Sequence, residues 1–179
     1  LDGDDHEFAF RDIAEIRPRR SRAALQRFLT ALADANAQLR ADAPEVEAIP
    51  LSRVLRAVLR IARKDHLVIV LSDFDGIDDE ADSLVAGLAR HNDLILAPIS
   101  DPMAAETPEG MRLVVSNGEL QAEIDTDEHQ TRQALAEIAR GRLAHVFDWQ
   151  RRYGVPVLAL SNGEETLPQI RSLMGLGPR

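Results

Sequence analysis

The sequence predicts an α/β fold in which a mostly parallel sheet carries helices on both faces. Three short apolar runs, residues 66–72, 94–99 and 155–160, are typical of strands that are buried in parallel sheets. From residue 51 onward, stretches with apolar residues at helical spacing alternate with these runs. Because strands that alternate with helices form right-handed crossovers, the predicted architecture has three layers, helix–sheet–helix.

The first third of the chain predicts two kinds of element. Residues 6–17 are predicted to form one or two short strands, and Ser21 is a candidate cap for a helix that extends to about Arg40. That helix has apolar residues at helical spacing, namely Leu25, Phe28, Leu29, Leu32 and Leu39. A second helix is predicted from about Leu51 to Ala62, after a polar linker that contains two prolines.

The remaining predictions concern turns and helix ends. Asn117-Gly118 is a favoured type I′ turn, which predicts a hairpin around it. A long helix is predicted from about Glu128 to Arg152, and a last helix from about Glu164 to Met174. Asp78 or Asp79 is predicted to cap the helix that follows the first buried strand.

Composition narrows the classes of function. The chain has 179 residues, which predicts a single domain over residues 1–179, and its net charge is −9. An acidic protein is not steered toward nucleic acid or anionic membrane, so we expect neither as a partner. The chain has no cysteine, and no apolar run reaches the ~20 residues of a membrane helix. These features fit a cytoplasmic protein.

Polar residues follow the predicted strands at the edge where parallel sheets bind ligands. The strand ends are Ser72-Asp73, Ser100-Asp101 and Ser161-Asn162. Asp73 and Asp75 also match the first motif of haloacid-dehalogenase-type phosphatases, in which Asp73 would be the nucleophile and Asp75 the general acid, with magnesium. That chemistry needs a lysine downstream of Asp73, whereas the only lysine, Lys64, lies upstream. The phosphatase is therefore the alternative hypothesis and not the main one.

The other clusters of charged residues are explained without a catalytic or metal site. The acids after Asp75 suit the first turn of a helix, where the helix dipole favours negative charge. The histidines lack the i, i+4 spacing of a zinc helix. The arginines between Arg17 and Arg27 have no interleaved aromatic residues, which disfavours nucleic-acid binding and favours a solvated turn or an acidic protein partner.

Several segments together resemble one family. They are Ile16 to Arg20, Val68 to Phe74 with its Ser-Asp-Phe, Asp101-Pro102 with Glu106 and Pro108 to Gly110, and Val155 to Leu160 with the acidic turn and helix after it. In this order and spacing they resemble the C-terminal part of the bacterial domain-of-unknown-function-58 proteins, which carry a von Willebrand factor A-like domain.

The resemblance implies a Rossmann-like sheet and a non-enzymatic role. Family members are thought to be adaptors or scaffolds that work with MoxR-type AAA+ ATPases in protein assembly or activation. The von Willebrand A fold binds partners through magnesium held by three loops, and Asp73 matches the aspartate of the third loop. The Asp-x-Ser-x-Ser of the first loop is absent from this sequence, and Ser52 lies only near the position of the second-loop threonine.

The sequence therefore predicts an adaptor whose partner-binding surface contains Ser72, Asp73, Asp75 and Asp101. We expect no catalytic residue and no cofactor from this chain alone. Asp73 is the candidate metal ligand, and magnesium is expected only if a segment before Leu1 supplies the missing ligands. We also expect the domain to be incomplete at its N-terminus, because the first strand of that fold would lie before Leu1. The loss of this central strand would expose unpaired sheet edges.

Overall fold

A computed structural model describes most of the chain. The described residues are 16, 21–37, 49–102, 112–116, 121–125 and 129–176. The short strands predicted over 6–17 lie outside them, apart from Ile16. Chain contacts divide the protein into two compact units. The first comprises Leu1–Ala48 with Ser116–Gln121, and the second comprises Ile49–Val115 with Ala122–Arg179. A single domain over 1–179 stays a prediction.

The described part of the first unit is dominated by one helix, α1, Arg22–Ala37. Ser21 lies immediately before it, and its Oγ accepts a hydrogen bond from the Ala24 N–H at 3.1 Å. This bond satisfies one of the N–H groups that a helix start leaves without an intrahelical acceptor. The predicted cap is therefore confirmed.

The rest of the described chain alternates helices and strands. In order, the elements are α2 Leu51–Ile61, β1 Leu67–Ser72, α3 Asp79–His91, β2 Asp93–Ser100, β3 Arg112–Ser116, β4 Gln121–Asp125, α4 His129–Tyr153, β5 Leu160–Ser161 and α5 Thr166–Leu173. Strands β3 and β4 form a two-stranded sheet, as the predicted hairpin requires. The turn residues between these two strands lie outside the described residues.

Strands β1, β2 and β5 form a parallel sheet in that order. Leu67 pairs with Asp93 and Ser72 with Pro98, while Ile99 pairs with Leu160. The order of these three strands in the sheet is the same as their order along the chain. Helix α3 forms the crossover from β1 to β2. The predicted α/β class with a Rossmann-like parallel sheet is confirmed.

The third strand is shorter than the run 155–160 predicts. The Leu96 N–H donates to the Pro156 carbonyl at 3.0 Å, and the Leu158 N–H donates to the Leu96 carbonyl at 2.8 Å. In a parallel ladder the next donor on β2 is residue 98, which is a proline without an N–H. Pairing resumes only at Leu160 and Ser161. Pro98 therefore explains why the run gives an isolated bridge at Val157 followed by a two-residue strand.

The core of the second unit lies on one face of the sheet. Val68, Leu94 and Leu96 point into a buried cluster with side chains of α2, α3 and α4. The alternate residues of β1 behave differently, because Leu67, Ile69 and Leu71 are 64%, 49% and 62% exposed. Side chains alternate between the two faces of a strand, so these three share the face opposite the cluster.

The last helix is attached at β5. α5 packs against this strand, and the Gln169 side chain bonds to both backbone groups of Ser161, each at 2.8 Å. Among the described helices, none is long and apolar enough to cross a membrane.

Candidate functional site

The loop after β1 is held by hydrogen bonds that its own polar side chains accept from backbone N–H groups. Ser72 Oγ accepts the Phe74 N–H at 2.9 Å, and Asp73 Oδ1 accepts the Asp75 N–H at 3.1 Å. Asp75 Oδ1 accepts the Gly76 N–H at 2.9 Å. Short polar side chains form such turns readily, because they reach backbone groups one or two residues on. These local bonds give the loop a defined shape.

Phe74 fixes the direction of this loop. Its φ of 55° lies in the left-handed region, which bulky residues rarely adopt. Its ring is 1% exposed and meets Trp149 edge to face, with the ring centroids 6.2 Å apart. Such a conformation persists where the surrounding packing requires it. With the ring turned into the core, the flanking Asp73 and Asp75 are left exposed.

An ion pair joins the loop to α4. Arg142 Nη2 lies 2.7 Å from Asp75 Oδ1, and both side chains are partly exposed. Exposed ion pairs add about 0–1 kcal/mol to stability, because water and salt screen them. The pair therefore orients the Asp75 carboxylate more than it stabilises the fold.

Asp78 caps α3, as predicted. Its Oδ1 accepts the Ala81 N–H at 2.8 Å, and its Oδ2 accepts a hydrogen bond from Ser52 Oγ at 2.6 Å. The hydrogen bond from Ser52 is the main reason that the pKa of Asp78 lies below its ordinary value. Ser52 is buried at the start of α2 and is committed to this cap, so the bond ties α2 to α3.

The Asp82 side chain connects α3 to α4 through hydrogen bonds. It accepts hydrogen bonds from Trp149 Nε1 at 2.9 Å, from Tyr153 Oη at 2.8 Å and from two nitrogens of Arg152 at 2.7 and 3.0 Å. These donors, above all the Tyr153 hydroxyl, hold the pKa of Asp82 below its ordinary value. The three donor residues lie at i, i+3 and i+4 on α4, so one helix face supplies them all.

A cleft of about 570 Å³ lies between the loop, the start of α3 and α4. Five aspartates and two arginines line it, with one histidine: Asp75, Asp78, Asp79, Asp82, Asp148, Arg142, Arg152 and His145. The lining is acidic overall. Sequence reasoning found the loop and missed the α4 side of the cleft. The sequence pattern that could have identified the α4 side is the recurrence of polar residues at positions 142, 145, 148 and 152, at helical spacing.

The four residues predicted to bind a partner lie in two places. Ser72, Asp73 and Asp75 come together in the loop after β1, and Asp101 directly follows β2. Because β1 and β2 are parallel, both places lie at the carboxyl edge of the sheet. Asp73, Asp75 and Asp101 are exposed. A single continuous surface made by all four residues stays a prediction.

Magnesium does not fit the residues found here. In the described ranges, no group of three His, Cys, Asp or Glu side chains could hold a metal ion. Asp73 uses Oδ1 to accept the Asp75 N–H. One exposed carboxylate is too few ligands for a cation that prefers six oxygens. Asp73 as a metal ligand stays a prediction.

Fold and site together define an α/β protein with a Rossmann-like sheet and a structured acidic loop at its carboxyl edge. Comparison with curated proteins and with solved structures gives no match. A family model described as "Protein of unknown function DUF58" matches residues 8–144. This match covers most of the chain, so the protein belongs to the DUF58 family, as the sequence resemblance predicted.

Proposed function

We propose that this chain is a non-enzymatic adaptor or scaffold with a von Willebrand A-like fold. It docks a protein partner at the carboxyl edge of its sheet, with Asp73 and Asp75 as the central contacts and Ser72 and Asp101 beside them. The observation that carries the proposal is the loop after β1. Its two carboxylates are exposed, while its backbone is fixed by local bonds and by the buried Phe74 ring.

A fixed loop suits docking, because a surface that is ordered before binding loses little conformational entropy on association. The negative charge of this edge predicts that the partner's binding surface is basic. Exposed aspartates attract a basic surface and raise the rate at which such a partner arrives. The proposed partner is a MoxR-type AAA+ ATPase in the cytoplasm, and a basic patch on that ATPase would complete the interaction.

The test is a binding measurement with a purified MoxR-type ATPase and the full 179-residue chain. The variant is Asp75→Asn, in which the amide oxygen can still accept the Gly76 N–H, while the negative charge and its ion pair with Arg142 are removed. The matched control is Asp93→Asn, which removes the same charge at the opposite end of β2. We expect at least ~10-fold weaker binding for Asp75→Asn and unchanged binding for Asp93→Asn.

Two results would contradict the proposal. Equal weakening by both variants would mean that overall charge, and not this edge, attracts the ATPase. Turnover of a generic phosphate ester that disappears in Asp73→Asn would show an enzyme, and the phosphatase alternative would replace the adaptor.

A further inference from the structure

Arg142 places a positive charge on one of the carboxylates that we propose to bind a basic partner. Its Nη2 lies 2.7 Å from Asp75 Oδ1, and both residues line the cleft beside the loop after β1. A basic partner that approaches Asp75 therefore meets a like charge at the same place, which opposes binding. The carboxylate is thus already occupied by a cation from within the protein.

The contact between Arg142 and Asp75 is of a kind that exchanges readily. The two side chains are 35% and 61% exposed, so water and salt screen their attraction. Asp75 keeps another contact when Arg142 is removed, since its Oδ1 also accepts the Gly76 N–H at 2.9 Å. The hydrogen bonds that Ser72 and Asp73 accept in the same loop do not involve Arg142. Arg142 can therefore leave Asp75 while the other bonds of the loop persist.

The second arginine of the cleft, Arg152, is held more firmly. It donates two hydrogen bonds to Asp82, at 2.7 and 3.0 Å, and its Nη1 lies 3.5 Å from Asp148 Oδ2. Its guanidinium also lies over the Tyr153 ring, 4.9 Å from the ring centroid. Several contacts must break before this arginine moves, whereas a single ion pair holds Arg142 within the described part of the chain. Of these two arginines, Arg142 is the one that a ligand can replace.

We propose that Arg142 competes with the partner for Asp75, and that an arginine side chain of the partner displaces it and enters the cleft. This inference rests on the proposed docking function and names the chemistry that the docking edge selects. The contact in the free protein shows that a guanidinium fits this carboxylate, and the donors of arginine can reach a second carboxylate at the same time. Asp79 lines the same cleft and is exposed, so it is accessible to the arriving cation.

Competition of this kind makes binding selective. The partner gains only the difference between its own contacts and those of Arg142, so one isolated positive charge gains little. An arginine that lies within a wider basic surface brings further charges to the exposed Asp73 carboxylate and exceeds what Arg142 contributes. The cleft therefore favours a concentrated basic surface over scattered cations.

The first experiment compares the affinity of variants of the 179-residue chain for two probes, the purified MoxR-type ATPase and a synthetic (Gly-Arg)4 peptide with blocked ends. We expect Arg142→Gln to bind both probes about 5-fold more tightly than the natural chain, because an exposed ion pair is worth up to about that factor. Arg142→Lys keeps the charge and should stay within about 2-fold. Arg140→Gln is the matched control, since Arg140 is exposed on the same helix and does not line the cleft, and it should also stay within about 2-fold.

The second experiment measures whether Arg142 acts through Asp75. In chains that already carry Asp75→Asn, the further change Arg142→Gln should alter affinity by less than about 2-fold, because the competing guanidinium has no carboxylate left to occupy. A full gain in affinity in these chains would overturn the inference, since Arg142 would then act on the partner directly.

The sign of the effect separates competition from a structural role. Weaker binding by Arg142→Gln would mean that Arg142 supports the loop or contacts the partner, and would overturn the inference. Unchanged binding, or an equal gain in Arg140→Gln, would overturn it as well, because net charge alone would then set the affinity.

The two probes separate this inference from the proposed function. If the ATPase binds no variant while the peptide binds Arg142→Gln more tightly, the competition stands and the ATPase is the wrong partner. If the ATPase binds the natural chain and Arg142→Gln equally well, the docking function stands and the competition is overturned.

Discussion

Asp82 lies where three donors of α4 converge, and one of them is a buried indole N–H. We expect Asp82→Ala to lower the free energy of unfolding by about 2 kcal/mol, because the Trp149 N–H then loses its buried acceptor. Urea unfolding followed by circular dichroism measures this change. Asp79→Ala is the matched control, since Asp79 is an exposed acid in the same turn of α3, and it should change stability by less than about 0.5 kcal/mol. Equal losses in the two variants would contradict this role for Asp82.

The same carboxylates predict how stability depends on pH. The pKa values of Asp78 and Asp82 are lower in the folded protein than the ordinary value of 3.8. The unfolded chain therefore binds these protons more readily, and stability falls as the pH drops. The contribution should be fully present above about pH 5 and lost as the pH falls through 3.8 and below. Urea unfolding at stepped pH tests this, and Asp82→Asn should flatten the acid limb of the curve.

At the residue scale, some features could be predicted and others could not. Asp78 was predictable as a cap, because aspartate before an apolar periodic stretch satisfies free N–H groups locally. The left-handed Phe74 was not, because local preference argues against that conformation, whereas burial of its ring in the core beside Trp149 favours it. The bond between Ser52 and Asp78 joins residues 26 positions apart, which no local pattern shows.

Strand β1 offers a direct test of which sheet face is covered. Val68 is buried in the core, while its neighbour Ile69 is 49% exposed on the other face. Val68→Thr should lower the free energy of unfolding by about 1–3 kcal/mol, because it places a hydroxyl in an apolar site. Ile69→Thr keeps a β-branched residue, and we expect a change within about 0.5 kcal/mol. Thermal or urea unfolding distinguishes them, and a comparable loss for Ile69→Thr would show that this face is covered in solution.

At the element scale, the sequence predicted the long elements better than the short ones. The helix expected from about Glu128 to Arg152 is α4, His129–Tyr153, because a long periodic stretch defines a helix strongly. The run 155–160 was expected to be a full strand, yet only Leu160–Ser161 forms one. The strand is short because of Pro98 on the neighbouring strand β2. The composition of the run 155–160 does not show this interruption.

Metal dependence belongs to the whole molecule, since a bound cation would stabilise the folded chain as a unit. The described residues offer too few ligands, so we expect the midpoint of thermal unfolding to be the same in EDTA and in millimolar magnesium. Circular dichroism at rising temperature measures it. A rise in midpoint with magnesium that is absent from Asp73→Ala would contradict this expectation and make Asp73 a ligand.

The α/β class and the DUF58 family could both be inferred from the sequence, because alternation of elements and the order of several motifs extend over most of the chain. The cleft could not be inferred in full. Its two sides come from residues 74–82 and 141–152, and only the folded chain brings them together.

The sheet also implies an order of assembly in time. Leu67 pairs with Asp93, whereas Ile99 pairs with Leu160, more than twice as far along the chain. Closing the longer loop costs more conformational entropy. The hydrogen bonds between β2 and β5 that offset this cost are interrupted at Pro98. We expect β1, α3 and β2 to form the folding nucleus, with β5 joining afterwards. In pulsed hydrogen exchange during refolding, the amides of β1 and β2 should be protected before that of Leu158, and simultaneous protection would contradict this sequence of events.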